Sequence, residues 1–262
     1  MTEWDAKAYS ERNALQKWLA DSHLAQVHLD GTERVLDVGC GDGKVTAEIA
    51  RRLTSGSVLG IDPSTRMIAF AQAQFARLEY PNLTFAIGNA TSLPYRGEFD
   101  LVVSFNALHW VRDQGAALRG IRAALKSGGR AFLEFVPQGP RRSLEDVIEE
   151  TCRAERWARY FAGHTAPYVH LTPEQFRELA SANGLRVEHL ERELKTWDFQ
   201  SRQAFADWAA VGCVGWTQRI PELERPRFID DVLDRYGRLD DVAGEDVRVF
   251  RFYQLTAAQR VT

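Results

Sequence analysis

The sequence has few cysteines, and none of them stands at the spacing of a metal or redox motif. Its 3 cysteines, Cys40, Cys152 and Cys213, are far apart and form no CxxC pair. This pattern argues against a disulfide framework or a zinc site and favours a reducing cytoplasm. His164 and His170 share no helical face, so we expect no metal site.

Long apolar runs and an excess of positive charge are also missing. Lys and Arg number 33 against 36 Asp and Glu, so the formal net charge is -3 and offers no basic field for nucleic acid phosphates. No apolar run approaches the ~20 residues that span a bilayer. The polar, acidic residues 1–5 are unlike a secretory signal. We therefore expect a cytoplasmic protein with no nucleic acid or membrane partner, and no obligate protein partner is indicated.

The first half of the chain alternates strand-like and helix-like segments. Apolar runs predict strands, and helical spacing predicts the helices between them. The predicted strands are 34–38, 57–61, 83–87, 99–103 and 130–136, and the predicted helices are 44–53, 64–78 and 114–125. Short strands separated by helices of this length indicate a parallel sheet with helices on both faces.

The second half is more irregular and more aromatic. Thr172 and Pro173 open a helix that ends near Asn183, and strands are predicted at 185–194 and 247–255. We expect one α/β domain over residues 1–262, with a seven-stranded, doubly wound, mostly parallel sheet and a helical lid from two insertions. Its parts are N-terminal helices covering the site (1–33), a core (34–136), lid segments (137–171 and 198–245), and remaining sheet and helix (172–197 and 246–262).

The loop after the first strand reads Asp37-Val38-Gly39-Cys40-Gly41-Asp42-Gly43. A dinucleotide fingerprint needs a third glycine where Lys44 stands, and a P-loop needs Ser or Thr where Val45 stands. The leading acid disfavours a phosphate and suits an ammonium group. Asp62, which ends the second strand, is placed to accept hydrogen bonds from ribose hydroxyls. Together these features predict a nucleoside that carries an amino acid, as S-adenosylmethionine does.

Residues 34–136 resemble the core of the class I S-adenosylmethionine-dependent methyltransferases, whose product from the cofactor is S-adenosylhomocysteine. Gly88-Asn89-Ala90 matches a motif that usually reads G-D-A, and the asparagine oxygen is able to accept the same bond from the adenine amino group. The resemblance implies cofactor-binding residues in the loop and after the second, third and fourth strands. They are Asp37, Gly39, Cys40, Gly41, Gly43, Asp62, Pro63, Met67, Asn89, Ala90 and Asn106.

The segment after the fourth strand resembles a narrower group of these enzymes. Leu108-His109-Trp110-Val111 and the spacing of Tyr9, Asn13 and Gln16 are similar to juvenile hormone acid methyltransferases, and Asp207-Trp208 is similar to trans-aconitate methyltransferases. In these families the N-terminal segment folds over the cofactor, so Tyr9 and Asn13 are further cofactor candidates. The substrate-binding candidates are Gln16, His109, Trp110, Trp208 and Trp216.

Three points about the acceptor site stay open at this stage. His109 is either a general base or an orienting residue. Trp157, Trp208 and Trp216 either wall the acceptor site or form the core of the lid. Arg219, which follows Trp216, is a candidate partner for a second acceptor carboxylate.

The resemblance implies methylation of a small molecule, with a carboxylic acid as the expected acceptor and a methyl ester as the product. A carboxylate needs no strong base, because its pKa of about 4 leaves it ionised at neutral pH. The alternatives are C- or N-methylation of another metabolite, and a protein that binds the cofactor without catalysis. The chain has no N-P-P-Y-type motif after the fourth strand, which argues against nucleic acid methylation.

Overall fold

The computed structural model describes residues 14–239 and 247–261. Tyr9 and Asn13 lie outside the described residues. Seven strands form one sheet in the order β3-β2-β1-β4-β5-β7-β6. The strands are β1 (Arg34–Val38), β2 (Ser57–Asp62), β3 (Leu83–Ile87), β4 (Phe99–Phe105), β5 (Leu125–Phe135), β6 (Leu185–Asp198) and β7 (Val249–Val261).

The sheet is parallel except at one strand. β1 pairs in parallel with both β2 and β4, and β7 runs antiparallel between β5 and β6. The strand order reverses between β1 and β4, and ligands in open α/β sheets bind at the carboxyl ends of the strands at such a point. The predicted seven-stranded, mostly parallel sheet is confirmed, and its switch point lies beside the glycine loop.

Helices cover both faces of this sheet. One face packs against Ile121 and Phe176, and the other packs against Ile49 and Ile68. The helices are α1 (Ala14–Gln26), α2 (Lys44–Arg52), α3 (Thr65–Gln74), α4 (Gln114–Ala124), α5 (Leu144–Arg153), α6 (Glu155–Ala158), α7 (Pro173–Ala182), α8 (Arg202–Gly212), α9 (Val214–Thr217) and α10 (Arg225–Tyr236). Within 14–239 and 247–261, no helix is long and apolar enough to cross a membrane.

Several element boundaries differ from the predicted ones. The helix expected over 64–78 begins at Thr65, because the Ser64 hydroxyl caps it, and ends at Gln74. β6 and β7 are longer than expected and stay paired from Leu185 to Asp198. Charged residues on both sides of β6 hide its length in the sequence, as is common for an edge strand.

The two predicted lid segments meet in a separate hydrophobic cluster beside the sheet. It contains side chains of α1, α5, α6, α8, α9 and α10 and of the first residues of β7, Phe250 and Phe252. Its largest fully buried members are aromatic: Trp157, Phe205, Trp216, Phe228 and Tyr236. The segments therefore form one packed layer, and its role as a lid stays a prediction.

Candidate cofactor and acceptor sites

The glycine loop between β1 and α2 uses three glycines in the left-handed region. Their φ angles are +83° at Gly39, +53° at Gly41 and +81° at Gly43, a conformation that favours glycine. A Cβ on Gly39 would lie 2.2 Å from that of Ala107, and one on Gly43 would lie 2.6 Å from the ring of Phe85. A Cβ on Gly41 would meet nothing within 4 Å. Gly39 and Gly43 thus allow close packing, whereas Gly41 borders open space.

The loop is tied to the carboxyl end of β2. The N–H groups of Gly39 and Cys40 both donate to the carbonyl of Ile61, at 2.8 and 3.0 Å. Asp62 accepts from the N–H of Gly41 at 3.1 Å and from that of Ser64 at 2.8 Å. A carboxylate offers about four lone pairs, so these bonds are compatible with the predicted bonds to ribose hydroxyls.

Asp37 lies under the loop with a side chain exposed by only 2%. Its Oδ2 accepts a hydrogen bond of 2.7 Å from the Thr46 hydroxyl. Burial raises the pKa of Asp37 to about 7; the bond from Thr46 lowers it and the charge of Asp62 raises it. A cation beside a carboxyl group favours its ionised form. The environment of Asp37 therefore suits the ammonium group of an amino acid.

Three other cofactor candidates have buried side chains. Cys40, Met67 and Ala90 are exposed by 8%, 3% and 8%. Burial raises the pKa of the Cys40 thiol well above its usual value, and the charges of Asp37 and Asp62 add to this. The thiol is therefore neutral and packs in the core. Pro63 is half-buried beside them. The roles of these residues toward the cofactor stay predictions.

Asn89 has a local partner that the sequence reasoning missed. Its Oδ1 accepts from both the N–H and the hydroxyl of Thr91, each at 3.0 Å, and so caps a short 3₁₀ helix. An amide oxygen has two lone pairs, and both are used here. The expected bond from the adenine amino group to this oxygen would displace one of them. The Asn-x-Thr spacing is the signal that would have indicated the cap.

Asn106 lies directly after β4 in a conformation that is rare for a residue with a side chain, with φ +54°. Its N–H donates to the carbonyl of Glu134 at 2.7 Å, and its Oδ1 accepts from Nε2 of Gln254 at 2.9 Å. Such conformations persist where the surroundings hold them, and they cluster at functional sites. Gln254 comes from β7, and no sequence signal links it to Asn106.

A cavity of about 110 Å³ opens beside Asn106, between the sheet and the hydrophobic cluster. It brings together four predicted substrate-binding residues, His109, Trp110, Trp208 and Trp216. Gln16 belongs to α1, whose residues Leu15 and Leu19 are part of the wall. The remaining lining residues are Val136, Leu144, Glu145, Ile148, Gly212, Cys213, Phe250 and Phe252.

His109 is a neutral hydrogen-bond donor in this cavity. Burial lowers the pKa of His109 well below its usual value, and the neighbouring His170 lowers it further. The N–H of Val136 donates to Nδ1 at 3.4 Å, so the ring hydrogen is assigned to Nε2. A neutral ring with its hydrogen on Nε2 is able to donate a hydrogen bond and is a weak base. The N–H of Val169 donates to the His109 carbonyl at 2.8 Å and holds the turn in place.

The aromatic candidates divide into two groups. Trp157 belongs to the core of the lid segments, where its Nε1 donates to Asp231 at 2.8 Å. Trp208 and Trp216 line the cavity, and the Trp216 ring packs edge-on to Trp110 at 5.9 Å. Arg219 is exposed and is not part of the wall, so the structure does not support its pairing with an acceptor carboxylate in the cavity.

Comparison with known proteins identifies the family of this chain. A profile for the methyltransferase domain matches residues 35–129. The chain is 30% identical to a trans-aconitate 2-methyltransferase of Methylobacterium radiotolerans, over 93% of this chain and 91% of the relative. The chain belongs to the class I methyltransferases. This methyltransferase is also 26% identical to the juvenile hormone acid O-methyltransferase of Drosophila melanogaster, over 97% of this chain and 90% of that one.

A solved structure has the same fold. The YcgJ protein from Bacillus subtilis superposes with a TM-score of 0.69 at 16% identity, and the match covers 94% of this chain and 98% of that one. This likeness shows the architecture alone. The methyltransferase is an enzyme whose methyl donor is S-adenosylmethionine. When bound, the donor supplies a methyl group on a positively charged sulfur.

The glycine loop lies close to the chain segment that lines the cavity. Gly39 closely approaches Ala107, which stands between Asn106 and the short 3₁₀ helix Leu108–Trp110 that carries His109. A methionine moiety held along the loop would therefore lie next to the cavity.

Proposed function

We propose that this methyltransferase transfers a methyl group to the carboxylate of a small monocarboxylic acid and releases the methyl ester. S-adenosylhomocysteine would be the second product. The observation that carries the proposal is His109, a neutral ring in a cavity walled mostly by apolar and aromatic side chains.

The chemistry of a carboxylate acceptor suits such a residue. A carboxylate is already ionised at neutral pH, whereas an amine or alcohol has to lose a proton. The Nε2–H of His109 is able to hold the acceptor oxygen in line with the donor methyl. Positioning and exclusion of water then supply most of the acceleration. The tryptophan side chains that line the cavity would help to exclude water once the acceptor is bound.

The charges of the residues that line the cavity favour an acceptor with a single carboxylate. Among the described lining residues none is Lys or Arg, so a second or third carboxylate would enter without a counter-charge. The relatives are named for trans-aconitate, a tricarboxylate, and for juvenile hormone acid, a monocarboxylic acid. The cavity of this chain favours a monocarboxylic acid. Its 110 Å³ is small beside the about 300–1,000 Å³ of typical ligand sites, which suits a short acid.

The cofactor residues have distinct proposed tasks. Asp37 would pair with the ammonium group, Asp62 with the ribose hydroxyls, and Gly41 would leave room for the ligand beside the backbone. Gln16, Trp110 and Trp208 would contact the acceptor together with His109.

Methyl transfer from radiolabelled S-adenosylmethionine to a panel of acids tests this function. We expect labelled products from short monocarboxylic acids that release the label as methanol in mild base, and weak turnover of tricarboxylates. Products that keep the label in base would contradict the carboxylate acceptor and indicate methylation at nitrogen or carbon.

A further inference from the structure

Helix α5 borders the acceptor cavity and carries four acidic side chains, three of which have partners. Asp146 completes a capping box with Ser143 and accepts from the Tyr168 hydroxyl at 3.0 Å. Glu149 and Glu150 also bind neighbouring side chains. These three acids therefore all have partners within the fold.

That fourth acid is Glu145, and it lines the cavity. No hydrogen bond or ion pair joins it to any other residue in the described ranges 14–239 and 247–261. The charge of Glu145 also acts on Cys213, another lining residue: burial raises the pKa of the Cys213 thiol, and the charge of Glu145 raises it further. Glu145 is thus the one acid among the described lining residues, most of which are apolar.

This placement has a consequence for the acceptor. An acceptor that enters the cavity displaces water from the Glu145 carboxylate, and that loss of hydration is costly unless a new partner replaces the water. An apolar group offers no partner, and a second carboxylate adds repulsion. A hydroxyl or ammonium group restores a hydrogen bond, and the ammonium also offsets the charge.

We propose that Glu145 is a specificity-determining residue that selects acids bearing a hydrogen-bond donor, a hydroxyl or an ammonium group, away from the methylated carboxylate. The inference rests on the proposed function, because the carboxylate end is assigned to His109. His109 follows β4 next to the cofactor loop, whereas Glu145 is carried by α5. The two residues therefore bind different parts of one acceptor.

The test compares four acceptors of equal chain length: pentanoate, its terminal hydroxy and amino derivatives, and glutarate. We expect the full-length enzyme to prefer the hydroxy and amino acids by kcat/KM and to turn over glutarate least. For Glu145→Gln we expect the kcat/KM of the amino derivative, divided by the kcat/KM of glutarate, to fall at least tenfold. We expect its affinity for the cofactor to stay unchanged. Glu155→Gln is the matched control, because Glu155 is an exposed acid in the first turn of the neighbouring α6.

The outcomes separate this inference from the proposed function. Base-labile products whose ratios do not change in Glu145→Gln would reject the role of Glu145 and leave ester formation standing. Base-stable products whose ratios do change would reject ester formation and retain only the preference of Glu145 for a hydrogen-bond donor. Calorimetric titration of the four acids in the presence of S-adenosylhomocysteine gives affinities without turnover. Equal affinities for the amino acid and glutarate in the unmodified enzyme would also reject the role of Glu145.

Discussion

The indole nitrogen of Trp216 donates a hydrogen bond of 2.7 Å to Oε1 of Glu149. Nε2 of His164 lies 2.8 Å from the same oxygen. The three side chains are buried, and Trp216 forms part of the wall of the acceptor cavity. The orientation of that wall therefore depends on one carboxylate of α5.

Replacing Glu149 with Leu leaves two buried donors without an acceptor. We expect the free energy of unfolding to fall by about 2–4 kcal/mol, because each unsatisfied group costs roughly 1–3 kcal/mol. The acceptor KM should rise while cofactor affinity is retained, since the glycine loop does not contact Glu149. Urea unfolding and steady-state kinetics measure the two effects. Glu149→Gln keeps an acceptor oxygen and should restore most of the KM; equal KM values for both variants would contradict the positioning of Trp216.

Alanine at two glycines of the loop should have different effects. Gly39→Ala places a methyl group 2.2 Å from Ala107 and is expected to destabilise the fold by more than 1 kcal/mol. In Gly41→Ala the added methyl group lies in open space. The free energy of S-adenosylmethionine binding should therefore change more than the free energy of unfolding. Thermal unfolding and calorimetric titration of both variants give the comparison. Unchanged cofactor affinity in Gly41→Ala would mean that the ligand lies elsewhere.

Asp37 should make the ligand-free enzyme less stable as the pH rises. Its pKa is raised from 3.8 to about 7, so between these values the folded state keeps a proton that the unfolded state has lost. Stability attributable to this group therefore falls through that window. Asp37→Asn should remove the fall and raise the melting temperature near pH 8 by ~2–4 °C for each kcal/mol recovered.

The same variant should bind the cofactor at least tenfold more weakly, because the neutral amide of an asparagine lacks the charge that pairs with an ammonium group. Melting curves near pH 5 and pH 8 and a calorimetric titration measure the two changes. A variant that loses stability near pH 8 would show that the Asp37 carboxylate is favourable in the free enzyme.

The activity of the enzyme should not follow the titration of His109. Because the pKa of His109 lies well below its usual value, the ring stays neutral throughout about pH 6–8 and no histidine-like limb is expected in kcat. His109→Phe keeps a ring of similar shape and should lower kcat/KM about tenfold or more through the lost hydrogen bond. A pH profile of kcat measures the first point, and a limb near pH 6.5 that disappears in His109→Phe would instead assign the base role.

Much of the cofactor side could be predicted from local sequence. Alternating glycines after an apolar strand, with an acid before them and Asp62 after the next strand, are each short-range features. The left-handed φ angles at Gly39, Gly41 and Gly43 agree with this pattern. Asn89 is the exception, because its cap on Thr91 competes with the ligand for the same oxygen.

The acceptor side could be predicted only in part. His109, Trp110, Trp208 and Trp216 were candidates from the resemblance, and the cavity brings them together. Glu145 and Gln254 were missed, because nothing in their local sequence distinguishes them from surface polar residues. Glu145 lines the cavity and Gln254 contacts Asn106 because of the side of the helix or strand on which each residue lies.

The succession of strands and helices and the glycine loop are thus encoded locally, because they depend on backbone conformation and spacing within a few residues, and the loop together with Asp62 indicates the class of cofactor. Which residues form the cavity, and how burial shifts the pKa of His109, depends on the tertiary structure. The cavity is built from segments as distant along the chain as Leu15 and Phe252. The lowered pKa of His109 arises from burial by those segments, which the local sequence does not encode.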